Sequence, residues 1–263
     1  MYYKIFIIFS ERNKSCIQLM THPKSNGLRE GIARGLSQMV TYPFEAKKAY
    51  IQVGKIAPIQ FIQCYKGMFQ SSLSSGFVFA SYFNIYNTIH PYPFSSSIAS
   101  FFISFIKIPI ANCMRILQIN PHHKNAIESG NRILKKRGIK GLYNGYSISL
   151  IEDVIETTVR NSIYETFKTS FLFKNQNANL SLITGAFAGA AGAAFTTPFD
   201  TIRTNMAHAS IENGKNDLFH VSKRLIFSKE GPIVLFRGMK LRATSNAVRY
   251  ALFYLIMEYL YVL

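Results

Sequence analysis

Two short stretches of the chain place an acid and a base three residues apart, just after a proline. In "YPFEAKK" Pro43 precedes Glu45 and Lys48, and in "TPFDTIR" Pro198 precedes Asp200 and Arg203. Residues three apart on a helix share nearly one face. Charges flanked by apolar sequence must meet water, protein or each other. The chemistry on offer is therefore reversible ion pairing between helices. A third cluster, "SLIEDVIETTVR", carries Glu152, Asp153 and Glu156, with Arg160 one turn beyond. Glu156 and Arg160 are spaced to pair with each other, while Glu152 and Asp153 still call for a cation. Bond-making chemistry is not indicated. There is no nucleophile–base pattern, GxGxxG or Walker loop. Cys16, Cys64 and Cys113 are scattered without a CxxC step, and His122 and His123 read as loop residues beside Pro121. Neither a disulfide framework nor a thiolate metal site is expected. The formal charge of +17 is compatible with nucleic acid or an anionic membrane. No nucleic-acid-binding motif accompanies it. The expectation is a protein that is not an enzyme and uses no cofactor, metal or nucleic acid.

The elements that position these charges repeat. Pro43 and Gln52 in the first proline segment correspond to Pro109 and Gln118 in "IPIANCMRILQ", and Pro198 marks a third copy. An aromatic-x-Gly step follows each: "YKG" at 65–67, "YNG" at 143–145 and "FRG" at 236–238. Repeats of this kind are structural units. Each unit is expected to be a helix, a polar link with a small helix, and a second helix. The expected long helices are 27–52 and 67–90, 94–118 and 145–170, and 179–206 and 238–262. The linking helices are expected near 56–63, 124–137 and 217–229. This gives an extension over 1–26 and repeats over 27–92, 93–174 and 175–263. The extension is too short in apolar sequence to span a bilayer; a targeting segment is its alternative reading. Hydrophobic residues make up 48% and charged residues 16% of the chain, fewer charges than the soluble average of about 25%. Bases concentrate in the links, as on the inward side of membrane proteins. Small residues recur every fourth position: Gly27, Gly31 and Gly35; Ser96, Ser100 and Ser104; Gly185 and Gly189. That spacing is expected to let neighbouring helices approach closely.

These features resemble the mitochondrial carrier family over roughly residues 27–263, through the motif Pro-x-acid-x-x-base repeated with its downstream Gly step. The resemblance implies an all-α membrane protein with six transmembrane helices, threefold pseudosymmetry and short matrix-side helices. It further implies a multi-pass monomer in the inner membrane (a relict mitochondrion or plastid being the alternative), both termini facing the intermembrane space, alternating access, and cardiolipin at the matrix-side helix ends. Pro43, Pro109 and Pro198 would kink the odd helices. Glu45, Lys48, Gln52, Gln118, Asp200 and Arg203 would belong to the matrix gate. In the second repeat Ala111 and Met114 replace acid and base, Arg115 stands one place late, and Ala207 replaces the third bracing glutamine. By the family's pairing, Asp200 keeps Lys48, while Glu45 and Arg203 lose their partners. The cytoplasmic gate would use Tyr164, Glu165 and Lys168. Its other positions are Tyr86, Asn87 and His90, and Glu258 with Tyr261 where a base is expected. Weak gates on both sides are expected.

In the family the cargo touches the even helices near the membrane midplane. Family spacing puts Ser74, Ser75 and Phe77 there, with Glu152, Asp153 and Glu156, and Ser245, Asn246 and Arg249. Tyr82 lies close by. Acids for cationic groups, Arg249 for a carboxylate and an aromatic for a flat ring suit a cationic amino acid. "GAFAGAAGAAFTTPFDTIRTNMAHA" and "GIKGLYNGYSISLIEDVIETTVRNSIYETFK" resemble mitochondrial S-adenosylmethionine carriers, which implies S-adenosylmethionine exchange for S-adenosylhomocysteine. In that pattern a base stands at the position of Glu152, and the second repeat has a full Pro-x-Glu-x-x-Lys. Other solutes (a basic amino acid, a nucleotide or cofactor, iron) and a non-transporting scaffold of the same fold remain alternatives.

Overall fold

The computed structural model describes residues 27–56, 64–89, 92, 95–120, 122–169, 178–211 and 217–262. The extension over 1–26 and most of the expected first linking helix, residues 57–63, lie outside them. The fold is all-α, with no strand among the described residues. The long helices are α1 (Gly27–Gln52), α2 (Met68–Ile89), α3 (Ser95–Ile119), α5 (Tyr146–Thr169), α6 (Ala178–Ala209) and α8 (Met239–Val262). Between them lie α4 (Ala126–Leu142), α7 (Leu218–Ile226) and a 3-10 turn, Gly231–Phe236. Ends expected from sequence agree with these to within about three residues for the long helices. The helices run through Pro43, Pro109 and Pro198 without ending.

Local chemistry accounts for the helix starts. Gly67, Gly145 and Gly238 have φ of +82, +78 and +77°, a region costly for any residue with a Cβ. This is why α2, α5 and α8 each begin after an aromatic-x-Gly step. A Cβ on Gly67 would also fall 2.5 Å from Leu117 Cδ2. At α4, the Glu128 amide donates to Asn125 Oδ1 at 2.8 Å, and Glu128 Oε2 accepts from the Lys124 amide at 2.7 Å. This is reciprocal capping. The helix reaches Leu142, five residues past its expected end, across a break at Gly138 with φ +64°.

The long helices pack side by side in the order α1, α2, α3, then α5, α6, α8 and back to α1. Small residues set the spacing in two of the three sequential pairs. A Cβ on Gly31 would lie 2.7 Å from the Gly76 carbonyl, and one on Gly189 only 2.3 Å from the Tyr250 ring. The expected close approach fails between α3 and α5, whose backbones make few contacts. Serine occupies the glycine positions there. Ser104 Oγ instead meets the Tyr146 hydroxyl at 3.0 Å, and the Tyr143 hydroxyl donates to the Phe105 carbonyl at 3.1 Å. Side chains thus bridge a gap that elsewhere the backbones close.

Burial departs from that of a water-soluble core, although apolar clusters such as that of Ala33, Tyr250, Phe253, Tyr254 and Met257 are also buried. Leu28, Ile32, Leu36 and Val40 form an exposed apolar stripe on α1, and Phe101, Phe102 and Phe105 do so on α3. Asp200, Arg203, Glu152, Arg242 and Arg249 are buried. Apolar outside and charged inside suits a bilayer as solvent. Among the described helices, only Ile98–Ile119 is apolar enough along its length to be recognised as membrane-crossing by composition. The other long helices carry inward-facing polar and charged groups that lower their average.

Candidate functional site

The buried charges converge on a cavity of about 160 Å³. Asp200 is its hub. Oδ2 accepts from Lys48 Nζ at 2.8 Å and Gln52 Nε2 at 2.8 Å, and lies 3.2 Å from Arg242 Nη1; Oδ1 accepts from Arg115 Nη2 at 2.9 Å. Four elements (α1, α3, α6 and α8) are therefore tied through one carboxylate. Gln52 adds a second layer, because its Oε1 accepts from Thr204 Oγ1 at 2.9 Å and its carbonyl from Asn205 Nδ2 at 2.9 Å.

A second hub joins α5, α6 and α8. Arg242 Nη2 donates to Glu152 Oε1 at 2.8 Å and Glu156 Oε2 at 2.9 Å, while Arg203 Nη1 donates to Glu152 Oε2 at 3.2 Å. Arg242 also holds the α6 backbone through the Thr196 carbonyl at 3.1 Å. Asn246 Nδ2 approaches Glu156 Oε1 at 3.4 Å. Across the cavity, Arg249 pairs with Glu45 and donates to Thr41 Oγ1 at 3.2 Å and Ser245 Oγ at 3.1 Å. Glu45 also accepts from Gln38 Nε2 at 2.6 Å.

Several sequence expectations change here. Lys48 and Asp200 meet as anticipated. Glu45 and Arg203, expected to stand without partners, find Arg249 and Glu152. Long side chains reach across neighbouring helices to whichever opposite charge is in range, so losing the acid and base of the second repeat redirects the pairing. Arg115, one place out of register, still reaches Asp200. The ion pairs around Asp200 and Glu152 are buried and have more partners than the family's pairing provides. Gln118 contacts the Tyr42 hydroxyl.

Of the expected cargo contacts, Glu152, Glu156, Ser245, Asn246 and Arg249 line the cavity. Ser74, Ser75, Phe77 and Asp153 do not. Phe77 is 57% exposed, Ser74 Oγ donates to the Ser71 carbonyl at 3.0 Å, and Asp153 pairs with Lys107 at 2.6 Å across the α3–α5 gap. Tyr86 is half-buried and stacks on Tyr82, with ring centroids 6.2 Å apart; Asn87 is half-buried beside it. His90 and the side chains of Arg160, Tyr164, Glu165, Lys168 and Glu258 lie outside the described residues, so the cytoplasmic gate expectation falls there. Sequence reasoning missed Arg242, Lys107 and Gln38. The available signal for Arg242 was its position four residues after Gly238 and three, four and seven residues before Ser245, Asn246 and Arg249, which puts it near their face of α8.

A ring of helices, apolar outside and surrounding a charged cavity, has the character of a membrane solute transporter. The sequence profile of the family described as Mitochondrial carrier protein matches residues 85–175 and 174–263. The chain belongs to this family, whose members are transporters and not enzymes. It is 34% identical over 110 residues to mitochondrial substrate carrier family protein ucpB of Dictyostelium discoideum, covering 41% of this chain and 37% of that protein. It is 28% identical over 157 residues to the mitochondrial S-adenosylmethionine carrier protein of Xenopus tropicalis, covering 57% of each. It is 29% identical over 163 residues to mitoferrin of Dictyostelium discoideum, covering 54% of this chain and 53% of that one. The matched stretches span about half the length of the curated relatives or less.

Proposed function

We propose that the protein is a multi-pass solute carrier of the mitochondrial inner membrane, built of three repeats and working as a monomer by alternating access. Its proposed cargo is S-adenosylmethionine, exchanged for S-adenosylhomocysteine. The observation that carries the cargo class is the placement of two carboxylates, Glu152 and Glu156, in one cavity with Arg249, Ser245 and Asn246. An amino-acid zwitterion bearing a further cation complements that wall: its cationic groups compete for the carboxylates and its carboxylate for Arg249. The similarity to an S-adenosylmethionine carrier supports the same reading. At about 160 Å³ the cavity is smaller than the roughly 300 Å³ at which small-molecule sites begin. Admitting such a cargo therefore requires ion pairs to part, and we assign Glu45, Lys48, Gln52, Asp200 and Arg203 to the matrix gate with Arg115 and Arg242. Anionic lipid such as cardiolipin suits the basic groove at the ends of α1 and α6, where Arg224, Lys229 and Arg237 gather.

One observation favours a second reading. The cavity lining holds five bases (Arg34, Lys48, Arg115, Arg242 and Arg249) against four acids (Glu45, Glu152, Glu156 and Asp200). A base excess favours a cargo that carries negative charge. Purified protein in liposomes, preloaded with unlabelled solute, decides between them by uptake of labelled S-adenosylmethionine, arginine, ATP, citrate and ferrous iron. Selective uptake of S-adenosylmethionine supports the first reading and selective uptake of an anion the second. Uptake of none supports a scaffold that transports nothing.

A further inference from the structure

Arg203 is the least satisfied charge in the network. It is 4% exposed, yet its Nε and Nη2 have no hydrogen-bond partner among the described residues. Its one acid, Glu152, lies at 3.2 Å and shares its other oxygen with Arg242 at the shorter distance of 2.8 Å. A guanidinium carries five N–H donors that match an oxyanion two at a time. Buried polar groups are nearly always hydrogen-bonded, so donors left over in this way call for an acceptor.

The sequence shows which acceptor is missing. Glu45 and Asp200 each stand two residues after a helix proline, and Ala111 holds that position after Pro109. One turn further along the same face of α3 is Arg115. Arg115 reaches Asp200 and Thr204, the residue next to Arg203. The Arg203 stem lies against the start of α5, where a Cβ on Gly145 would be 3.7 Å from its Cγ. Arg115 thus brings a second guanidinium beside the α6 residue next to Arg203, and its face of α3 carries Ala111 in place of a carboxylate.

We propose that Arg203 is the principal donor of an oxyanion subsite, for a carboxylate or phosphate group, that takes the place of the acid missing at Ala111. The group is supplied either by a free ion or by the cargo's own carboxylate, which would then engage Arg203 in place of Arg249. The subsite does not depend on the cargo being S-adenosylmethionine, and its readout is stability, not transport.

The test is thermal unfolding of the purified full chain at constant ionic strength, with inorganic phosphate, acetate or S-adenosylmethionine against chloride. Saturable stabilisation is expected, of about 5 °C at a hundredfold excess over Kd. Arg203→Gln should abolish it. Ala111→Asp and Ala111→Glu should supply the acceptor internally, raising the unfolding temperature without ligand and removing the ligand's effect. An effect of phosphate or acetate that needs Arg203 and is lost in the Ala111 variants identifies a free ion. The same pattern with S-adenosylmethionine alone identifies a group borne by the cargo. The proposal is overturned if no anion gives a shift, if Arg203→Gln shifts as the parent does, or if both Ala111 variants keep the full ligand effect.

Discussion

Asp200→Asn removes one negative charge while keeping the shape of the side chain. The carboxylate is 2% exposed and holds Lys48 at 2.8 Å, Arg115 at 2.9 Å and Arg242 at 3.2 Å. At an effective dielectric constant of 20, each pair is worth about 5–6 kcal/mol of Coulomb energy, most of it offset by desolvation of the ions. What the substitution exposes is the imbalance left behind: three cations converge on a neutral amide. Breaking a buried ionic network by removing one partner costs about 3–5 kcal/mol. If that energy holds the α1, α3 and α6 ends together, local opening there becomes about a hundred to a few thousand times more frequent. Hydrogen exchange of the amides around Lys48–Gln52, Arg115 and Asp200–Asn205 measures it directly, with the midspan amides of α2 as an internal reference. Glu128→Gln is the control, because its pair with Arg132 is exposed; its effect should be several times smaller in energy. Equal exchange in parent and Asp200→Asn, with an unchanged unfolding temperature, would refute the assignment of Asp200 as the hub.

Other outcomes follow from the same geometry. Arg242→Gln turns the five-to-four excess of bases in the cavity lining into four against four, so inhibition of uptake by cations should strengthen about tenfold and that by anions weaken, read by competition in liposomes. Gly31→Val places a Cβ 2.7 Å from the Gly76 carbonyl, which no side-chain rotation relieves; a loss near the upper end of about 1–3 kcal/mol is expected in thermal unfolding. Burial, aided by Arg132, pushes the His123 imidazole below its ordinary value. The unfolded chain then binds the proton first, so stability is present above about pH 6.5 and is lost as pH falls through that value. His123→Gln should flatten this part of the unfolding-temperature profile between pH 5.5 and 7.5, and an unchanged slope would remove His123 as its source.

Much of the architecture was legible because its signals are local. Gly67, Gly145 and Gly238 mark helix starts through a backbone angle that other residues disfavour. Glycines four residues apart on α1 and α6 marked close helix contacts, and the structure places ring and backbone atoms where a Cβ would stand. The serine series on α3 carried the same spacing and misled. A hydroxymethyl group is small enough to suggest contact but large enough to be met by Tyr146 in place of the α5 backbone. The acidic character of "IEDVIE" was equally plain, but its division was not: Glu152 and Glu156 reach the cavity while Asp153, one residue on, turns to Lys107.

By itself the sequence determined the helices, their order, the family, and the absence of an acid at Ala111. Only the tertiary structure decided which charge answers which. Arg249 goes to Glu45, Arg242 binds Glu152, Glu156 and Asp200 together, and Arg203 settles on a shared carboxylate with two donors left over. Helix ends and tight turns depend on the conformational energy of a few consecutive residues. Ion pairing in a low-dielectric interior depends on distances of about 3 Å between chains of atoms far apart in sequence. A spacing motif can name the participants but not the pairs.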